Sequence, residues 1–177
     1  MMKNLVVIVM VMITLAISSC SNLIYFTEDV RYNLDENKLE VEQVQFYNSE
    51  KIVLKRNLSK EETQIAKGTI RFENGEYYEE VIIPKKTKGV AIRSGSEFLR
   101  VAFETGDNRS LRFDMNDDAK YQISADNWND NYGCIVYDTT TYFIIPSSSN
   151  TVLMVNKEFV SNYEKKRRVL KGRSVSR

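Results

Sequence analysis

Thr69-Ile70-Arg71-Phe72-Glu73 alternates polar and apolar residues, Asn74-Gly75 follows, and Tyr77 to Ile83 carries a second run up to Pro84. Asn-Gly between two such runs is the strongest short hairpin signal, because both residues tolerate the positive φ of a type I′ turn. This hairpin constrains the fold most, since the rest of the chain is built the same way. Ile52 to Arg56, Gly89 to Arg93, Phe98 to Glu104, Leu111 to Phe113, Tyr121 to Ala125, Gly133 to Tyr137, Thr141 to Ile145 and Val152 to Val155 all read as short strands. Ser94-Gly95-Ser96, Gly106-Asp107-Asn108 and Ser147-Ser148-Ser149-Asn150 supply turns and loops between them. No intervening helical stretch is long enough for a βαβ crossover, which argues against a parallel sheet. The expected fold is mainly β: an antiparallel β-barrel or sandwich with one short N-terminal helix. No internal repeat is present.

The helix is expected just before the strands. Thr27 is a plausible N-cap, Glu28 and Asp29 are favourably placed against the helix dipole, and Phe26, Val30 and Leu34 recur every four residues as one apolar stripe. It should end near Asn37. Leu39 to Val44 reads as a further helical turn leading into a strand around Gln45-Phe46-Tyr47. At the other end, Glu158 to Leu170 permits a basic helix, whereas Arg167, Val169 and Lys171 alternating with Arg168 and Leu170 permit an exposed edge strand. A strand over Arg168 to Val175 is the preferred reading, because Lys-rich edges resist unwanted pairing.

Before the helix lies a segment that belongs to no fold. Lys3 gives a short positive start, Leu5 to Ile17 is an apolar run broken only by Thr14, and Ile17-Ser18-Ser19-Cys20 closes it with two small residues and a cysteine. The run is about thirteen residues, against the roughly twenty a membrane span needs, and it fits the apolar region of a signal peptide. The simpler account is an uncleaved anchor helix. The ending, however, resembles the lipobox of bacterial lipoproteins, which implies cleavage before Cys20 and acylation of Cys20. The expected organisation is then a signal peptide over residues 1–19, a lipidated tether over 20–26, and a single β-rich domain over 27–177 with a basic segment at 157–177. By analogy with other lipoproteins, Ser21 lacks the acidic character that retains some on the inner membrane. Asn22, Leu23 and Ile24 lack the charged run that sends others to the cell surface. The expected location is the periplasmic face of the outer membrane.

Charge and cysteine content narrow the function. Lys and Arg number 25 against 24 Asp and Glu, so there is no global pull toward nucleic acid. The balance is uneven: from Lys157 onward there are eight Lys or Arg against Glu158 and Glu164. Lys165, Lys166, Arg167, Arg168, Lys171 and Arg173 form a patch that could contact anionic lipid headgroups, phosphates or an acidic partner; a solvated tail is the equally simple account. With Cys20 lipidated, Cys134 has no disulfide partner. Its place between Gly133 and Ile135 reads as a strand, which predicts a buried, inert thiol.

The chain contains no histidine. That removes Ser-His-Asp and Cys-His catalysis and the usual zinc sites, and no phosphate-binding glycine loop or nucleophile elbow appears. Asp114-Met115-Asn116-Asp117-Asp118 begins like a calcium loop, but Ala119 stands where glycine makes the turn and Ala125 where a bidentate Glu belongs. A solvated turn accounts for it. Glu79-Glu80 could be proposed as a glycosidase pair, yet neighbours on a strand face opposite sides of the sheet. Trp128, the one tryptophan, sits among amides and acids and could stack on a sugar ring; the preferred account is a loop plugged into a barrel end by its aromatic residue.

Three stretches resemble a group of small lipoproteins from Bacteroidota: Val44 to Ser49 with Ile52 to Arg56, Lys88-Gly89-Val90 through Phe103 to Phe113, and Arg167 to Arg173. The resemblance spans most of the chain beyond the signal and implies localisation and fold rather than catalytic residues. Some small Bacteroidota lipoproteins belong to envelope-spanning secretion machines of type VI or type IX. The expectation is therefore a lipid-anchored, non-enzymatic envelope module, partnered by the membrane through Cys20 and by envelope proteins, without cofactor, metal or nucleic acid. The runner-up is a lipocalin-like barrel holding a lipid or glycan. It lacks a Gly-x-Trp start, and it would require a deep apolar cavity above about 300 Å³.

Overall fold

A computed structural model describes residues 22–64, 66 and 68–164. The alternating segments become strands in two antiparallel sheets. In chain order these are β1 (Leu23–Tyr25), β2 (Gln45–Asn48), β3 (Ile52–Leu58), β4 (Thr69–Glu73), β5 (Glu76–Ile83), β6 (Lys88–Ser94), β7 (Phe98–Ala102), β8 (Ser110–Met115), β9 (Tyr121–Ser124), β10 (Asn127–Asn129), β11 (Tyr132–Tyr137), β12 (Thr140–Ile144) and β13 (Leu153–Asn156). The first sheet has the order β1-β13-β2-β6-β7-β8-β9 and the second β10-β11-β12-β3-β5-β4. Neither closes on itself, so the fold is a sandwich and the barrel alternative falls. Isolated bridges Thr27↔Lys120 and Gln122↔Val152 curl the first sheet without joining its edges in a ladder.

Two helices are described, α1 (Glu28–Glu36) and α2 (Lys157–Glu164). The Thr27 hydroxyl accepts from the Val30 amide at 3.4 Å, and Asn37 caps the C-terminus, as expected of α1. Arg31 then fastens α1 to the first sheet, donating to the Tyr121 hydroxyl at 2.7 Å and to the Ser96 carbonyl at 3.1 Å. The core begins at this junction. Phe26 and Phe46 meet edge to face with centroids 5.0 Å apart, and Phe26 and Tyr121 at 5.1 Å, all three fully buried. Leu34 extends the core from α1, Leu99, Leu111, Phe113 and Leu153 from the first sheet, and Ile52, Leu54, Tyr142 and Ile144 from the second. Burying each such side chain contributes about 1.5–3 kcal/mol.

The Asn74-Gly75 turn forms as expected, with φ of 52° and 86° and Glu73 paired to Glu76. Leu39 to Val44 contains a 3₁₀ turn at Val41–Gln43. The structure departs from expectation in three places, at Leu23–Tyr25, Asn127–Asn129 and the serine loop. Leu23–Tyr25 is not tether but a strand, Leu23 pairing with Asn156. Asn127–Asn129 is not a loop but a strand against β11. Lys157–Glu164 is helical, as one of the two readings of this stretch allowed, and the strand expected over Arg168 to Val175 lies outside the described residues. The serine loop after Ile145 contains a 3₁₀ turn whose buried Ser148 hydroxyl accepts from the Val53 amide at 3.0 Å, closing the end of β3.

Candidate functional site

Side chains from both sheets converge on an open cleft of about 420 Å³ between β5, the β11–β12 hairpin and the β7–β8 connection. One of its lining residues, Glu79, is held in an ion pair with Arg56. Arg56 on β3 and Glu79 on β5 are opposite in register, with Arg56 Nε 2.7 Å from Glu79 Oε2. The Gly68 amide donates to the other carboxylate oxygen. A side chain at residue 68 would collide with Glu79 at 2.6 Å, so glycine is what lets the chain close over it. Arg56 also reaches Glu62 at 3.1 Å. Burial pushes the Glu79 carboxyl up, but the bonds from Gly68 and Arg56 outweigh it and hold the carboxyl below the usual range. Tyr142 lies beside the pair, its ring centroid 5.7 Å from Arg56 Cζ, and burial together with the Glu79 charge raises its phenol.

The rim comes from the hairpin tip and the β7–β8 connection. Asp138 and Thr139 both have positive φ in a two-residue turn, and the Asp138 amide donates to the Asn108 carbonyl at 3.1 Å. This docking brings Arg109 Nη2 to 2.8 Å from Asp138 and Nη1 to 3.4 Å from Glu104. The Tyr137 hydroxyl donates to Glu104 at 2.7 Å. Burial and that bond raise the Tyr137 phenol, and the Asp138 charge raises the Arg109 guanidinium. At neutral pH the cleft thus presents the ionised Glu79 carboxylate and the protonated phenols of Tyr137 and Tyr142 in fixed positions. Such a set suits holding a polar ligand by hydrogen bonds.

The residues singled out from sequence fall elsewhere or split. Glu79 and Glu80 point to opposite faces: Glu79 is 2 % exposed, and Glu80 pairs outward with Arg71 at 2.8 Å. Trp128 does not plug a barrel end. It lies on edge strand β10, 42 % exposed, with its ring over Gly133 and outside the lining of the cleft. Cys134 is half-buried rather than buried, opposite Phe143 on β12. Asp114 to Asp118 lead into a tight turn: Asn116 Oδ1 accepts from the Asp118 and Lys120 amides, and Ala119 has a φ of 56°. No cluster of metal ligands occurs among the described residues. Cys20 and the patch Lys165, Lys166, Arg167, Arg168, Lys171 and Arg173 lie outside the described residues.

Glu104, Arg109 and Asp138 were not expected as site residues, because they come together only when the hairpin tip docks on the β7–β8 connection. Comparison with known proteins gives no matching family model, curated relative or solved structure. The class the fold defines is an antiparallel β-sandwich with a polar cleft between its sheets.

Proposed function

We propose that this chain is a lipid-anchored, non-enzymatic envelope protein whose sandwich acts as a structural or interaction module, on the periplasmic face of the outer membrane. The observation that carries the reading is the sequence Ile17-Ser18-Ser19-Cys20, with the first strand beginning only three residues later at Leu23. A triacylated Cys20 would hold the body firmly on a bilayer, at about 0.8 kcal/mol per buried methylene. No described helix is long and apolar enough to cross a membrane. Membership of an envelope-spanning assembly belongs to the same proposal, with the basic segment after Glu164 as one contact.

Labelling cells with radioactive palmitate tests the anchor. Label should enter the protein and disappear in Cys20→Ser, which should also leave the membrane fraction; an unlabelled parent protein would sink the reading.

A second reading, a glycan ligand, draws on the cleft, which has aromatic and carboxylate walls and a volume of about 420 Å³. The interior between the sheets is filled by the core, so a ligand would sit at the cleft mouth rather than inside.

A further inference from the structure

Three arginines stand in one row across the outer face of the first sheet. The register pairs Arg93 on β6 with Arg100 on β7, and Arg100 with Arg112 on β8. Like charges directly opposite each other destabilise a sheet, so such a row is favoured only beside compensating anions. Arg112 has one within the chain: its Nε lies 2.7 Å from Asp114, and its guanidinium stacks 4.5 Å from the Phe98 centroid. Arg93 and Arg100 form no ion pair with any described residue.

A backbone irregularity places them. Ala91 is buried, so strict alternation would turn Ile92 outward and Arg93 into the core. Instead the register slips between Ala91 and Arg93, and Ile92 and Arg93 together oppose Arg100. A β-bulge of this kind re-aims a side chain. Here it puts Arg93 and Ile92 on the same outer face. The two arginines border a groove of about 560 Å³ closed on the far side by Asn108, Val136 and Thr139. Ile92 and Val136, 55 % and 56 % exposed, line it, and Val90, two residues before Ile92 on β6, is 47 % exposed.

We propose that this face docks on an anionic bilayer, Arg93 and Arg100 gripping headgroup phosphates while Val90, Ile92 and Val136 enter at headgroup depth. Guanidinium forks match phosphate oxygens in a two-bond geometry that a lone ammonium cannot reproduce. Apolar residues interleaved with the cations fit a lipid surface, where both are satisfied at once. Position supports the same occupant. β1 starts three residues after Cys20, a tether of at most about 10 Å. In the same sheet β6 is three strands from β1, roughly 14 Å at the usual spacing. The nearness of the bilayer rests on the anchored reading above; the unpaired arginines do not.

The test uses the chain from Ser21 onward, which keeps every described strand and helix and hence the whole core. It is sedimented with vesicles of phosphatidylcholine alone or of phosphatidylcholine with phosphatidylglycerol. The protein should pellet with the anionic vesicles only. Replacing both arginines (Arg93→Gln, Arg100→Gln) should lower the partition coefficient by roughly thirtyfold, about fivefold per cation. The pair Arg93→Lys, Arg100→Lys, which keeps the charge but not the fork, should bind between the parent and the Gln pair, and neither pair should lower the unfolding midpoint. Three outcomes overturn the proposal: undiminished binding of the Gln pair, binding lost only on neutralising Lys165 to Arg168, or saturable binding of inorganic phosphate with no vesicle binding. Palmitate labelling at Cys20 is scored separately, so either result can fail while the other stands.

Discussion

Arg56 and Glu79 face each other across β3 and β5 beside the cleft, 2.7 Å apart, with the Glu79 side chain 2 % and the Arg56 side chain 17 % exposed. The pair also holds two further segments of chain, through Gly68 and Glu62. Removing one partner of such a pair leaves an uncompensated buried charge, at a cost of about 3 kcal/mol or more. Arg56→Met should therefore lower unfolding stability in urea by that amount. The double variant Arg56→Met, Glu79→Leu should recover most of the loss, since no bare charge remains. Additive losses would mean the two residues act independently.

The same carboxylate sets a pH dependence. Its folded pKa lies below its ordinary value of 4.5, so its contribution is complete above that value and is lost as pH falls through the lower, folded value. Urea midpoints should fall on acidification below about 4.5. Glu79→Gln cannot titrate there. It should start less stable at neutral pH and decline less steeply across the acid window. Parallel profiles for the two proteins would remove Glu79 from the account.

What could be read from sequence was what neighbours in the chain decide. Asn74-Gly75 dictates its own turn, and Thr27 with Asn37 bounds α1 by local bonding alone. Leu23–Tyr25 is too short to show alternation and becomes a strand only because β13 offers an edge. Asn127–Asn129 sets one tryptophan between two amides, too short to show alternation, and exists by pairing with β11. The cleft was hidden for the same reason, since Arg109 meets Asp138 only once two distant turns dock. Arg93 was hidden by the bulge: read with regular alternation, it belongs to the core face.

The Asn74-Gly75 turn offers a local test. Gly75 has a φ of 86°, and a Cβ added there would meet nothing within 4 Å. The cost of Gly75→Ala is then conformational alone, about 1 kcal/mol. Because β4 is exposed along its whole length, that cost should fall on the hairpin. The Arg71 amide, which the turn's register aims into the ladder opposite Tyr78, should exchange severalfold faster, with amides of Leu99 to Val101 unchanged. A uniform rise across the sandwich would show the hairpin coupled to the whole fold.

Trp128 owes its seat to the absence of a side chain opposite. Gly133 is its register partner, and a Cβ at that position would lie 2.9 Å from the indole ring and 2.7 Å from the Ala125 Cβ. Ala125 sits between β9 and β10, where the chain passes from one sheet to the other, and the backbone there is fixed by the Asp126 amide donating to the Cys134 carbonyl at 3.0 Å. The indole has one free side, being 42 % exposed on an edge strand, so it is the group that can yield. Gly133→Ala should push it into solvent and loosen β10. As the chain has a single tryptophan, its fluorescence reports this change alone: emission should shift to longer wavelength while the unfolding midpoint falls modestly. An unshifted spectrum with a large loss of stability would place the strain in the Ala125 backbone instead.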